Sequence, residues 1–147
     1  MSLLAGFLGV PLTGEERALT LKTIVSDRSG ADAIDHMRTA VHHNTEKAGA
    51  LLAAQSVFAV AATFALDHGW PRIPVLLSIL LLLVGSLLAM SILRSTVSMY
   101  GRKAVKTDPV QLVFDLLLSR MARFNTALNL TFVAIVLMIG AALAYFF

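Results

Sequence analysis

The stretch from Ile73 to Leu93 reads IPVLLSILLLLVGSLLAMSIL and holds no charged side chain. As a helix rising 1.5 Å per residue it is about 30 Å long, which matches the hydrocarbon core of a bilayer. Lipid cannot hydrogen bond to backbone amides and carbonyls, so a helix, which satisfies its own, is the expected form. Two further uncharged runs flank it. Ala48 to Leu66 has Gln55, Ser56 and Thr63 as its polar members, and Thr126 to Phe147 ends at the last residue. The composition agrees: 57% of the 147 residues are hydrophobic and 14% charged, against about 25% charged in an average soluble domain. These features predict an all-α integral membrane protein with spans at about 48–66, 73–93 and 126–147.

Between the first two spans, Asp67-His68-Gly69-Trp70-Pro71-Arg72 carries helix-breaking Gly and Pro, and Trp70 suits a headgroup-level anchor. An antiparallel hairpin is expected there. The turn holds only Arg72, whereas 94–123 holds Arg94, Arg102, Lys103, Lys106, Arg120 and Arg123, and the N-terminal segment holds Arg17, Lys22, Arg28, Arg38 and Lys47. The positive-inside rule then places the N-terminus and the 94–123 segment on the cytoplasmic side, with the hairpin turn and Phe147 outside.

All three spans are expected to continue as helix on the basic side. Ala31 to Lys47 lacks Pro and Gly. The second span can run to about Tyr100, where Gly101 offers a cap. Thr107-Asp108-Pro109 is a helix start, with a capping residue followed by Pro at the first helical position. Val110, Val113, Phe114, Leu117 and Met121 then form an apolar stripe. That last helix would be about 39 residues or 58 Å, longer than a bilayer. Residues 1–30 form a separate cytosolic segment, in which Thr13 and Glu16 suit a capping box for a short helix to about Val25. Met1 to Val10 is apolar but lacks the positive start of a cleaved signal peptide, and is expected to be retained. Residues 31–147 form the membrane region.

The net charge is +3 and there is no cysteine, which excludes disulfides, thiolate nucleophiles and cysteine-bound metals. No catalytic grouping, metal site or cofactor motif stands out, so an enzyme is not expected. Arg94, Arg102, Lys103 and Lys106, with Arg38 and Lys47 on the neighbouring helix, suit an anionic ligand such as a nucleotide or short nucleic acid. The same charges equally suit anionic lipid headgroups or simple topology signalling. His36, His42 and His43 lie near Asp32 and Glu46 at helical spacing, a pattern of local ion pairs more often than of a metal site, which needs three or four ligands.

Asn125 and Asn129 share one face of the third span, and Gln55, Ser56 and Thr63 lie within the first. Polar groups at membrane level avoid lipid. Either they line a pore or gate, or they hydrogen bond between helices. No span contains Asp, Glu, Lys, Arg or His, which argues against a proton-coupled transporter. Small pairs four apart (Gly49/Ala53, Ala61/Ala65, Gly85/Ala89, Gly140/Ala144) permit close helix approach. Three spans cannot enclose a water path, so conduction would need a closed homo-oligomeric bundle, for which a tetramer is the expected size.

The stretch Asn44-Thr45-Glu46-Lys47-Ala48-Gly49-Ala50-Leu51-Leu52 ends a charged helix and opens the first span with a Thr-x-Lys-Ala-x-x-Leu-Leu pattern. It resembles the transmembrane effectors of bacterial Pycsar antiphage systems. The likeness covers roughly residues 35–147 and rests on a short, mostly apolar motif. This chain has Asn44 where the family usually has Asp, and it has no separate cyclic-nucleotide domain. The resemblance implies a membrane-disrupting effector governed by a nucleotide or oligonucleotide from a partner cyclase or nucleotidyltransferase, acting in abortive infection. A non-conducting membrane adaptor and a holin-like lysis protein are the alternatives.

Overall fold

The structure, a computed structural model, describes residues 13–26, 30–94 and 109–147. They form four helices: α1 (Gly14–Ser26), α2 (Gly30–Asp67), α3 (Arg72–Arg94) and α4 (Pro109–Phe146). Three of them, α2, α3 and α4, are long and apolar enough to cross a membrane. The protein is an all-helical membrane bundle. α2 and α4 have 38 residues each, about 57 Å at 1.5 Å per residue, whereas α3 has 23, about 34 Å. The two long helices therefore stand past α3 at the end away from the hairpin.

The sequence punctuation sets these boundaries. Thr13 and Glu16 close the expected capping box: the Thr13 amide donates to Glu16 Oε2 at 3.0 Å, and the Glu16 amide donates to Thr13 Oγ1 at 3.4 Å. Pro109 opens α4 as its first residue. α2 and α3 meet in the expected hairpin. Gly69 sits at φ +80°, in the left-handed region that favours glycine. The Trp70 amide donates to the Ala65 carbonyl at 3.1 Å and the Gly69 amide to the Leu66 carbonyl at 3.2 Å. This pair of bonds is a Schellman stop, and Trp70 folds back onto the cluster containing Ala65, a contact that often accompanies the motif. Residues 95–108, where α3 was expected to run to about Tyr100, lie outside the described residues.

Packing follows a period of three and four residues. On α3 the buried positions are Val75, Ser78, Leu82, Gly85, Ala89 and Ile92. On α2 they include Ala48, Leu51, Gln55, Ala62 and Ala65, and on α4 Ala127, Thr131, Ala134 and Ala141. This is the seam of a left-handed bundle, with small residues letting the helices approach closely. Past α3, α2 and α4 pack on each other through Met37, Val113, Phe114 and Leu117, and Leu21 of α1 lies against that cluster. At the hairpin end Trp70 stacks on Tyr145 with centroids 5.8 Å apart and meets Phe146 edge-on at 6.3 Å. Such rings suit the headgroup layer.

Candidate functional site

The polar side chains within the apolar bundle mark the regions where helices are tied or moved. Gln55, on α2, is only 1% exposed. Its Nε2 donates to Thr131 Oγ1 on α4 at 2.7 Å, and its Oε1 accepts from Ser86 Oγ on α3 at 3.0 Å. Thr131 Oγ1 donates in turn to the Ala127 carbonyl at 2.8 Å. One amide thus joins all three spans in lipid-like surroundings. Gly85 makes room for it: a Cβ there would lie 2.6 Å from Gln55 Nε2 and 3.4 Å from the Ala127 carbonyl oxygen. Nearer the hairpin, Ser78 Oγ lies 2.8 Å from the Pro74 carbonyl oxygen and 3.1 Å from that of Ala134, a second tie between α3 and α4.

At the opposite end of the spans are two arginines of α4. Arg120 is 1% exposed, and its Nη1 donates to Thr45 Oγ1 at 3.0 Å. Arg123 Nη1 donates to Ser91 Oγ at 3.4 Å. They tie α4 to α2 and to α3. A buried guanidinium retains its charge and needs hydrogen-bond acceptors around it, so this joint is a polar clamp where bundle and stalk meet. Arg120 read from sequence as one more charge of the basic connection; the structure instead puts it in the helix seam, on the line of Val113 and Leu117. Thr45, Ala48 and Leu51 of the Asn44–Leu52 stretch face the same seam: Ala48 and Leu51 are buried, and Thr45 holds Arg120.

The structure divides the residues expected at a pore. Gln55 turns inward to bridge the three helices. Ser56 faces out of the bundle, its hydroxyl bonded to the Leu52 carbonyl at 2.9 Å. Asn125 and Asn129 are half-buried on α4. Of the anion-binding candidates, Arg38 and Lys47 are exposed on α2 and Arg94 is exposed at the end of α3. Arg102, Lys103 and Lys106 lie outside the described residues. Sequence reasoning missed Arg120, Ser86 and Thr131; a polar residue in the three-and-four pattern of an apolar stripe was the available signal.

Of the histidines, His42 Nε2 and His43 Nδ1 both approach Glu46, at 3.3 and 3.2 Å. Among the described residues no three His, Asp or Glu gather to hold a metal. Off the stalk, α1 leans on α4 through an Arg17–Asp115 ion pair. Beside it a groove of about 520 Å³ is lined by Arg17, Leu21, Lys22, Gln111, Phe114 and Asp115, among others.

No family model, curated protein or solved structure matches the chain.

Proposed function

We propose that this chain is a membrane-disrupting or channel-forming effector of a nucleotide-controlled antiphage system, working as a homo-oligomer in the bacterial inner membrane. The observation that carries the reading is the continuity of α2 and α4. Each is a single 38-residue helix, about 57 Å long, so about 25 Å stands outside a hydrocarbon core of about 30 Å. A helix transmits displacement along its length because every turn is hydrogen bonded to the next. A ligand that moves the outer part of α2 against α4 therefore moves the spans, with the Arg120–Thr45 joint as the coupling point. The motif from Asn44 to Leu52, which resembles the Pycsar effectors, contributes that joint and supports the reading.

In this reading the basic end is cytosolic and Phe147 is outside. Arg94, Arg102, Lys103 and Lys106, with Arg38 and Lys47, receive a nucleotide or oligonucleotide made by a partner nucleotidyltransferase or cyclase. Several copies enclose the conducting path, since three helices do not. No step is enzymatic. The test is membrane potential. Induced expression in cells should collapse a potential-sensitive dye signal, and purified protein in liposomes should release ions in a way that candidate nucleotides alter. A pure protein that leaves both membranes polarised, with and without nucleotide, removes the reading.

A further inference from the structure

The hydrogen bonds between the spans fix which residues share a height. Gln55 of α2 meets Ser86 of α3 and Thr131 of α4 in one layer. Eight residues from that layer toward the stalk, α2 reaches Lys47, α3 reaches Arg94 and α4 reaches Arg123. One cation from each helix therefore stands at the same level, about 12 Å from the amide at 1.5 Å per residue. From Lys47 the uncharged length of α2 runs to Asp67, about 30 Å, the thickness of a hydrocarbon core. This collar of cations thus lies at the depth of lipid phosphates on the basic side of the membrane.

The three cations are not equivalent. Arg123 is tied to Ser91 at 3.4 Å, and Arg94 ends α3. Lys47 instead lines a groove of about 470 Å³ between α2 and α4, with Ala40, His43, Asn44, Leu117 and Met121. That volume falls within the range of small-molecule sites, about 300–1,000 Å³. Among the described residues no carboxylate pairs with Lys47; Glu46 beside it meets His42 and His43 at 3.3 and 3.2 Å. Toward the hairpin the two walls continue as apolar surface. Seven and eleven residues beyond Lys47 stand Ala54 and Phe58, and at the same steps beyond Met121 stand Leu128 and Phe132. All four are exposed.

We propose that this groove seats an anionic phospholipid. Lys47 pairs with the phosphate, and the Asn44 amide donates to the headgroup oxygens beside it. The acyl chains descend along Ala54, Phe58, Leu128 and Phe132. A zwitterionic lipid brings its own ammonium to its phosphate, so it gains less from Lys47 than an anionic lipid does. Soluble phosphate compounds offer Lys47 the same group but nothing to the apolar track, and burial of the tail decides between the two. The seated lipid lies beside the Arg120–Thr45 joint and bridges α2 to α4 there. The inference does not depend on ion conduction. Lys47 also stands among the nucleotide contacts proposed above, and the test separates the two ligands.

The full chain is held in detergent with equal amounts of phosphatidylglycerol and phosphatidylcholine, and native mass spectrometry counts the lipids kept by each chain. The wild type should keep phosphatidylglycerol over phosphatidylcholine. Lys47→Gln should lower that preference about fivefold, the effect of one cation at an anionic lipid surface, and Lys47→Arg should keep it. Met121→Trp fills the groove without a change of charge and should lower the preference as much. Arg72→Gln removes an exposed cation at the hairpin end and should leave it unchanged. Circular dichroism checks that each variant keeps its helicity. Glycerol 3-phosphate and adenosine monophosphate, which lack tails, should not displace the lipid even in large excess. No preference in the wild type overturns the inference. Equal losses in Lys47→Gln and Arg72→Gln, with none in Met121→Trp, would show attraction to surface charge alone and also overturn it. Displacement by adenosine monophosphate rejects the lipid as occupant and gives the groove to a soluble nucleotide.

Discussion

Gly85→Ala is the smallest change that tests the layer joining the three spans. The new Cβ would sit 2.6 Å from Gln55 Nε2, where ordinary contact begins at 3.4 Å, so the amide must withdraw by 0.8 Å (3.4 − 2.6). Moved that far along its bond, the 2.7 Å contact to Thr131 reaches 3.5 Å, the edge of hydrogen bonding, and the 3.0 Å contact from Ser86 is disturbed with it. Hydrogen bonds between membrane helices average about 0.6 kcal/mol and reach about 1.7, so losing two gives about 1–3 kcal/mol. Alanine's advantage over glycine in a helix, about 1 kcal/mol, opposes this. The expected net loss is about 1 kcal/mol, read as an earlier midpoint when the protein is unfolded in mixed micelles with rising SDS and followed by circular dichroism. The decisive measurement is the cycle with Gln55→Ala. In that background the Cβ meets no amide, so Gly85→Ala should become neutral or stabilising, a coupling of about 1 kcal/mol or more. An equal loss in both backgrounds would show that Gly85 is needed for backbone approach alone and that the amide is incidental.

Thr45→Val removes one acceptor of Arg120 and should destabilise the bundle by about 1.5–3 kcal/mol in the same unfolding assay, while Thr45→Ser should behave as wild type. Gly69→Ala forces a side chain into the left-handed region at φ +80° and should cost about 1–2 kcal/mol, with faster amide exchange at residues 66–70. Arg17→Glu sets like charges against Asp115 at an exposed pair and should speed hydrogen exchange across 14–26, with less than about 1 kcal/mol change in the membrane bundle.

The spans and several helix ends were legible because each depends on local chemistry. Apolar run length marked the spans, Thr13 with Glu16 marked the start of α1, Pro109 the start of α4, and Gly69 the end of α2. The polar partners were not legible, because they are distant in the chain. Gln55 finds Thr131 76 residues away, and Arg120 finds Thr45 75 residues away. Sequence alone left Gln55 between lining a pore and tying helices; its orientation depended on which side of α2 faces α3 and α4. Arg120 read as a topology charge because a basic residue near a span end normally is one. Its spacing from Val113 and Leu117 placed it in the seam, and position in the pattern outweighed residue type.

The shortest of the three membrane helices sets a rule for its longer neighbours. α3 is closed by Arg72 at one end and Arg94 at the other, with only uncharged residues between. Neither guanidinium enters hydrocarbon cheaply, so about 34 Å of helix fixes the slab thickness in which α3 stands upright. In a thinner bilayer α3 must lean, and the tight turn through Gly69 obliges α2 to lean with it. Vesicles of shorter acyl chains should therefore tilt the two helices together.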